Sequence, residues 1–95
     1  MVSESIPPTA RPKLSSRARL QTDKVTGKPV LLYPEGALML NPTAQAILAL
    51  CTGQETIEKI ASSLATRFQI SAPEISNQIV EFLNRLRAKN LLELT

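Results

Sequence analysis

The sequence has no histidine and no tryptophan, a single cysteine, and three aromatic residues, Tyr33, Phe68 and Phe82. Each absence removes a class of chemistry. Without histidine the common zinc ligand sets are out of reach, and so are the Ser-His and Cys-His pairs that activate a nucleophile. One cysteine, Cys51, can neither close an internal disulfide nor hold an iron–sulfur cluster. The three glycines, Gly27, Gly36 and Gly53, stand apart, so no glycine-rich loop is available to cradle phosphate. Ser15 and Ser16 lack any base partner. Apolar runs such as 29–33 and 46–51 fall far short of the ~18 residues that span a bilayer. A basic region followed by an apolar core is also missing at the start, where Ile6, Pro7, Pro8 and Thr9 interrupt any such pattern. The expectation is a cytoplasmic, non-catalytic chain with no cofactor, no metal and no membrane partner.

What is present fits one soluble domain: 95 residues, 43% of them hydrophobic and 20% charged. The net charge of +3 leaves a mildly basic body, which permits nucleic-acid binding without arguing for it. Residues 1–16 hold Pro7, Pro8 and Pro12 among four serines and show no period of two or 3.6, the signature of a flexible tail. From Arg17 the pattern changes. Ala18, Leu20 and Thr22 alternate with Arg19, Gln21 and Asp23 as in a half-buried strand, and residues 23–27 supply a turn. Val30 to Tyr33 suits a central strand. Pro34-Glu35-Gly36 then makes a tight turn into a third strand, Ala37 to Leu40, which predicts an antiparallel meander.

Helical punctuation begins at Asn41, an N-cap followed by Pro42 at the first helical position. Ala44, Ile47, Leu48 and Cys51 share one face, and Gly53 ends the segment. Thr56 caps a second helix with a face of Ile57, Ile60, Ala61, Leu64 and Phe68. Ser71 and Glu74 form a capping box for a third, whose stripe is Ile75, Ile79, Phe82, Leu83 and Leu86, with Asn90 as the left-handed cap. The order β-β-β-α-α-α over residues 17–95 predicts an α+β domain of the winged helix-turn-helix type, with the meander as the wing and residues 91–95 packing back on the body.

Two features bear on function. Between Phe68 and Asn84 there is no Lys or Arg, while Glu74 and Glu81 lie where a recognition helix would meet phosphate, and this argues against a DNA-binding regulator. The third strand is the second feature. End strands expose unpaired backbone groups and are usually blunted by charge, proline or a bulge. Ala37-Leu38-Met39-Leu40 carries none of these, whereas Arg17 and Arg19 guard the opposite edge. An unguarded edge invites an added peptide strand, or a second copy of the chain in an edge-paired or swapped dimer. On the last helix, Gln78, Arg85 and Lys89 line one flank of the stripe and Ser76, Val80 and Arg87 the other; cations on the facing flank would favour an acidic peptide. Periodicity leaves open which flank faces the strand.

The stretch Leu31-Leu32-Tyr33-Pro34-Glu35-Gly36, then Leu40-Asn41-Pro42-Thr43-Ala44 with Ile47-Leu48, then Cys51-Thr52-Gly53 and Thr56 to Ile60 closely resembles the PqqD family of pyrroloquinoline quinone biosynthesis. The resemblance runs from about Pro12 to Leu92. Thr52 departs from it, since the family more often has Asp between the Cys and the Gly. The resemblance implies a RiPP recognition element, a non-catalytic peptide chaperone that binds the leader of the ribosomal precursor PqqA and presents it to the radical SAM enzyme PqqE; separately, a monomer is expected, with the edge-paired or swapped dimer as the alternative. It implies a groove between the third strand and the last helix, which makes Ala37, Leu38, Met39, Leu40, Gln78, Phe82 and Arg85 the candidate contacts. Alternatives are the winged-helix regulator and a leader-binding module of another peptide-maturation pathway.

Overall fold

The computed structural model describes residues 6–94 of the chain. Its elements run β1 (Pro12–Leu14), β2 (Arg19–Thr22), β3 (Pro29–Tyr33), β4 (Gly36–Met39), α1 (Pro42–Ala49), α2 (Ile57–Phe68), α3 (Ala72–Ala88) and β5 (Leu92–Leu94). β2, β3 and β4 form the expected antiparallel meander, and β1 pairs antiparallel with β5 in a separate two-stranded ribbon.

Local chemistry sets each turn of the meander. Asp23 accepts hydrogen bonds from the Thr26 hydroxyl (2.8 Å) and the Val25 N–H (3.3 Å). These bonds favour the ionised carboxylate, the Thr26 hydroxyl most, and lower its pKa. Gly27 takes φ 74°, a left-handed conformation natural to glycine. The second turn is tighter. Tyr33 pairs with Gly36, so Pro34 and Glu35 alone connect the strands, with proline's fixed φ at the first corner.

Hydrogen-bond phase then determines what each outer strand shows to solvent. The Leu40 N–H donates to the Pro29 carbonyl (3.1 Å). Bonded and non-bonded pairs alternate along an antiparallel ladder, so Leu38 and Gly36 face β3, while Ala37 and Met39 direct their N–H and C=O groups away from it. On the other side the Asp23 N–H donates to the Lys28 carbonyl (2.8 Å), which turns the backbone groups of Leu20 and Thr22 outward.

The helices start and stop as their capping residues dictate. Asn41, Thr56 and Ser71 each accept from the backbone N–H three residues on. Gln69 at φ 56° ends α2. At the end of α3, Asn90 at φ 59° donates to the Arg87 carbonyl and Leu91 to the Leu86 carbonyl, the paired bonds of a Schellman motif, with both leucines buried. Ile75, Ile79, Leu83 and Leu86 have no exposed surface, and each such side chain contributes roughly 2 kcal/mol of burial free energy. That anchorage fixes how α3 is rotated. Among the described residues no helix is long and apolar enough to cross a membrane.

Three expectations need correction. Residues 6–16 are not a tail; residues 1–5 lie outside the described part. Ile6, Ala10 and Pro12 are buried. The carbonyls of Pro8 and Ala10 accept from Glu58 and Ile57 in the first turn of α2, donors that no intrahelical acceptor could satisfy (3.0 Å each). Ser15 donates its N–H to Leu91 (2.8 Å), next to the ribbon of β1 and β5. The second correction concerns α1, which stops at Ala49 because the next residues pair with β1: Leu14 N–H donates to Cys51 and Gly53 N–H to Pro12. Finally, β2 is exposed along its whole length rather than half-buried. The core takes Leu31 and Leu40, with Tyr33 and Leu38 packed against it, and no residue of β2.

Candidate functional site

β4 has a partner on one side only, and its open side borders a groove of about 190 Å³. One wall is Leu38 and Met39 of the strand; the other is Gln78, Glu81, Phe82 and Arg85 of α3. The start of α1 supplies the floor through Thr43, Ala44 and Ile47. Met39 is 57% exposed, a large apolar side chain held at the surface beside outward-turned backbone groups. Glu81 and Arg85, one turn apart on α3, bring one charge of each sign to the wall.

Rotation of α3 resolves which flank faces the strand. Gln78 and Arg85 line the groove, and Lys89 extends the same flank, with its ammonium 5.8 Å from the centre of the Tyr33 ring on β3. Ser76 and Val80 lie on the other side, in a depression they share with Ile6, Pro8 and the α2 residues Ala61 and Ala65. Arg87, on that flank, reaches Asn84 at 3.5 Å. The Pro34-Glu35 turn at the start of β4 is tied back to the body by an exposed Arg17–Glu35 ion pair at 3.2 Å, a contact that adds little stability in water.

Of the seven residues singled out in the sequence, Leu38, Met39, Gln78, Phe82 and Arg85 line this one groove. Ala37 is exposed on the same strand and turns its N–H and C=O outward, but it does not line the hollow. Leu40 is buried at 7% exposure and borders a neighbouring hollow instead. Sequence reasoning missed Thr43, Ala44 and Ile47, and also Asn41 and Glu81. A signal for the first three exists: only Leu40 and Asn41 separate β4 from α1, so the first turn of that helix has to lie at the strand's end. Asn41 is already occupied as a cap, its side-chain oxygen accepting from Ala44 at 2.7 Å.

The chemistry on offer is recognition. Burial pushes the Cys51 thiol up to about 12, which keeps it protonated and unreactive near neutral pH. Among the described residues no cluster of His, Cys, Asp or Glu could hold a metal ion. A strand edge with free donors and acceptors beside a groove of mixed polar and apolar lining is suited to an extended peptide, whose main chain would continue the sheet while alternate side chains enter the groove.

The family model for coenzyme PQQ synthesis protein D (PqqD) matches residues 29–92. This chain belongs to the PqqD family. The match takes in the meander's last two strands and all three helices, hence every wall of the groove. A PqqD relative named PqqA binding protein from Azotobacter vinelandii is 37% identical over 83 residues, 87% of this chain and 89% of its own length. Another of that name from Rhizobium meliloti is 33% identical over 82 residues, covering 86% and 84%. Among solved structures, the PqqD part of Methylobacterium extorquens PqqCD, described as a functional, stand-alone RiPP recognition element, superposes with a TM-score of 0.74 at 35% identity, covering 86% of this chain and 87% of that one. PqqD from Xanthomonas campestris gives a TM-score of 0.59 at 30% identity over 98% of both chains. The α+β architecture is thus that of PqqD proteins and of the recognition element.

Proposed function

We propose that this protein binds the precursor peptide PqqA and presents it, in the cytoplasm, to the radical SAM enzyme PqqE for pyrroloquinoline quinone biosynthesis, without catalysing a step itself. The leader docks antiparallel to Ala37–Leu40 as a fourth strand. Its main chain bonds to the outward N–H and C=O groups of Ala37 and Met39, and its apolar side chains enter the groove between Leu38 and Phe82. Gln78 and Arg85 meet polar or acidic groups along the α3 wall. One observation carries the reading: the unpaired edge of β4 and a groove closed by α3 stand side by side in a chain of the PqqD family. The relatives' name supports PqqA as the peptide.

Isothermal titration with synthetic PqqA peptides from Azotobacter vinelandii and Rhizobium meliloti tests it. Wild-type protein is expected to bind at least one as a 1:1 complex. Leu38→Asp or Met39→Asp should weaken that binding about tenfold or more, as central interface residues do, with the circular dichroism spectrum retained. Affinity untouched by both substitutions would remove the site. Light scattering on the same samples should show a monomer with and without peptide; a dimer that dissociates on peptide addition would mean that a second copy otherwise covers β4. For presentation, the expected result is faster PqqE cross-linking of PqqA with wild-type protein present than with Met39→Asp.

A further inference from the structure

The groove does not end where β4 ends. A second hollow of about 570 Å³ opens beyond Met39, formed by Lys28 and Pro29 at the start of β3, Met39 and Leu40, and Pro42 and Gln45 of α1. Met39 and Asn41 border both hollows, so the two adjoin at the end of β4. The second has more apolar than polar lining, and two of its walls are prolines. Pro29 matters for a further reason. Its carbonyl is taken by the Leu40 N–H, and it has no N–H to donate, so the ladder between β3 and β4 finishes there and leaves room beside it. Lys28 is the one charged residue on this lining and has no ion-pair partner among the described residues.

Direction decides which part of a ligand arrives there. A peptide running antiparallel to β4 places its earlier residues opposite Met39 and its later ones opposite Ala37. Two residues of extended chain cover about 7 Å, enough to carry the segment before the paired strand from Met39 onto the proline-lined surface. Building on the strand-addition reading above, we propose that this second hollow receives the residues immediately N-terminal to the docked strand, seating an apolar side chain on Pro29 and Pro42 and selecting an acidic residue through Lys28. The hollow therefore serves as a specificity site at one end of the groove, and its position gives the peptide a polarity.

The test uses the shortest fragment of Azotobacter vinelandii PqqA that retains binding to the full chain, extended at either end by Glu-Glu or by Lys-Lys. On wild-type protein in low salt, N-terminal Glu-Glu should bind about threefold to tenfold more tightly than N-terminal Lys-Lys, a difference that shrinks as salt rises. Lys28→Glu, a surface change, should abolish or invert that preference and leave the effect of C-terminal extensions unaltered. Gln45→Trp, which fills the hollow without changing charge, should weaken N-terminally extended peptides and spare the core fragment. An N-terminal preference indifferent to Lys28, or a Lys28-dependent preference at the C-terminal end, overturns the proposal. Leu38→Asp separates the two levels: if it weakens every peptide while Lys28 has no influence, strand addition stands and the second hollow falls; if it weakens none, the strand reading falls first and the second hollow with it.

Discussion

The three-stranded sheet has two outer strands that look alike in hydrogen bonding and differ in everything around them. β2 and β4 each pair with β3 alone, and each turns the backbone groups of two residues outward, Leu20 and Thr22 on one, Ala37 and Met39 on the other. On β2 these groups alternate with those of Arg19 and Gln21 in open solvent, and the core takes no residue of the strand. On β4 they stand beside Leu38 and face a groove that α1 and α3 close on the far side. Unpaired donors and acceptors are therefore not enough to make a binding edge. Water satisfies them at either strand at similar free energy, and the edge beside Leu38, Met39 and Phe82 also gains where apolar side chains leave water.

Removing one outward N–H from each strand is the strongest way to break this comparison. Met39→Pro deletes a donor that a docked peptide would use and leaves the peptide's acceptor unsatisfied, which should weaken PqqA binding about thirtyfold in titration. Thr22→Pro deletes an equivalent donor on β2 and should change affinity by less than about twofold. Equal losses from both would mean that the binding face is not confined to β4. Charge reversal gives a smaller effect that sharpens the contrast between the walls. Arg85→Glu on the groove should reduce affinity about threefold to tenfold at low salt and less as salt rises, while Arg19→Glu on the bare edge should have almost no influence. The matching readout is the slope of affinity against salt concentration for the two variants.

Much of this arrangement is legible in the sequence, because its signals are local. Caps at Asn41, Thr56 and Ser71 and turns at 23–27 and 34–36 sit at fixed offsets from the elements they bound, and the run Ala37 to Leu40 advertises an unguarded edge by what it lacks. Features that depend on distant partners were not legible. The Pro-rich segment 6–16 has no periodicity of its own, because its carbonyls serve as acceptors for α2 and its strand is defined by Leu92–Leu94 at the other end of the chain. Its prolines, read as marks of a tail, fit a segment that contributes carbonyls to α2. The choice of flank on α3 was equally hidden: periodicity locates the stripe, but the rotation that turns Gln78 and Arg85 toward β4 comes from packing of Ile75, Ile79, Leu83 and Leu86 against elements elsewhere. Glu81 enters the groove for the same reason.

An amide-resolved NMR titration of the ¹⁵N-labelled chain with PqqA measures the contrast between the two edges within one sample. The account predicts that the amides of Ala37 and Met39 shift furthest and gain protection from solvent exchange, that Gln78 to Arg85 follow, and that Leu20 and Thr22 stay in place. Shifts centred on β2, or on the Ser76 and Val80 side of α3 with β4 unmoved, would contradict it.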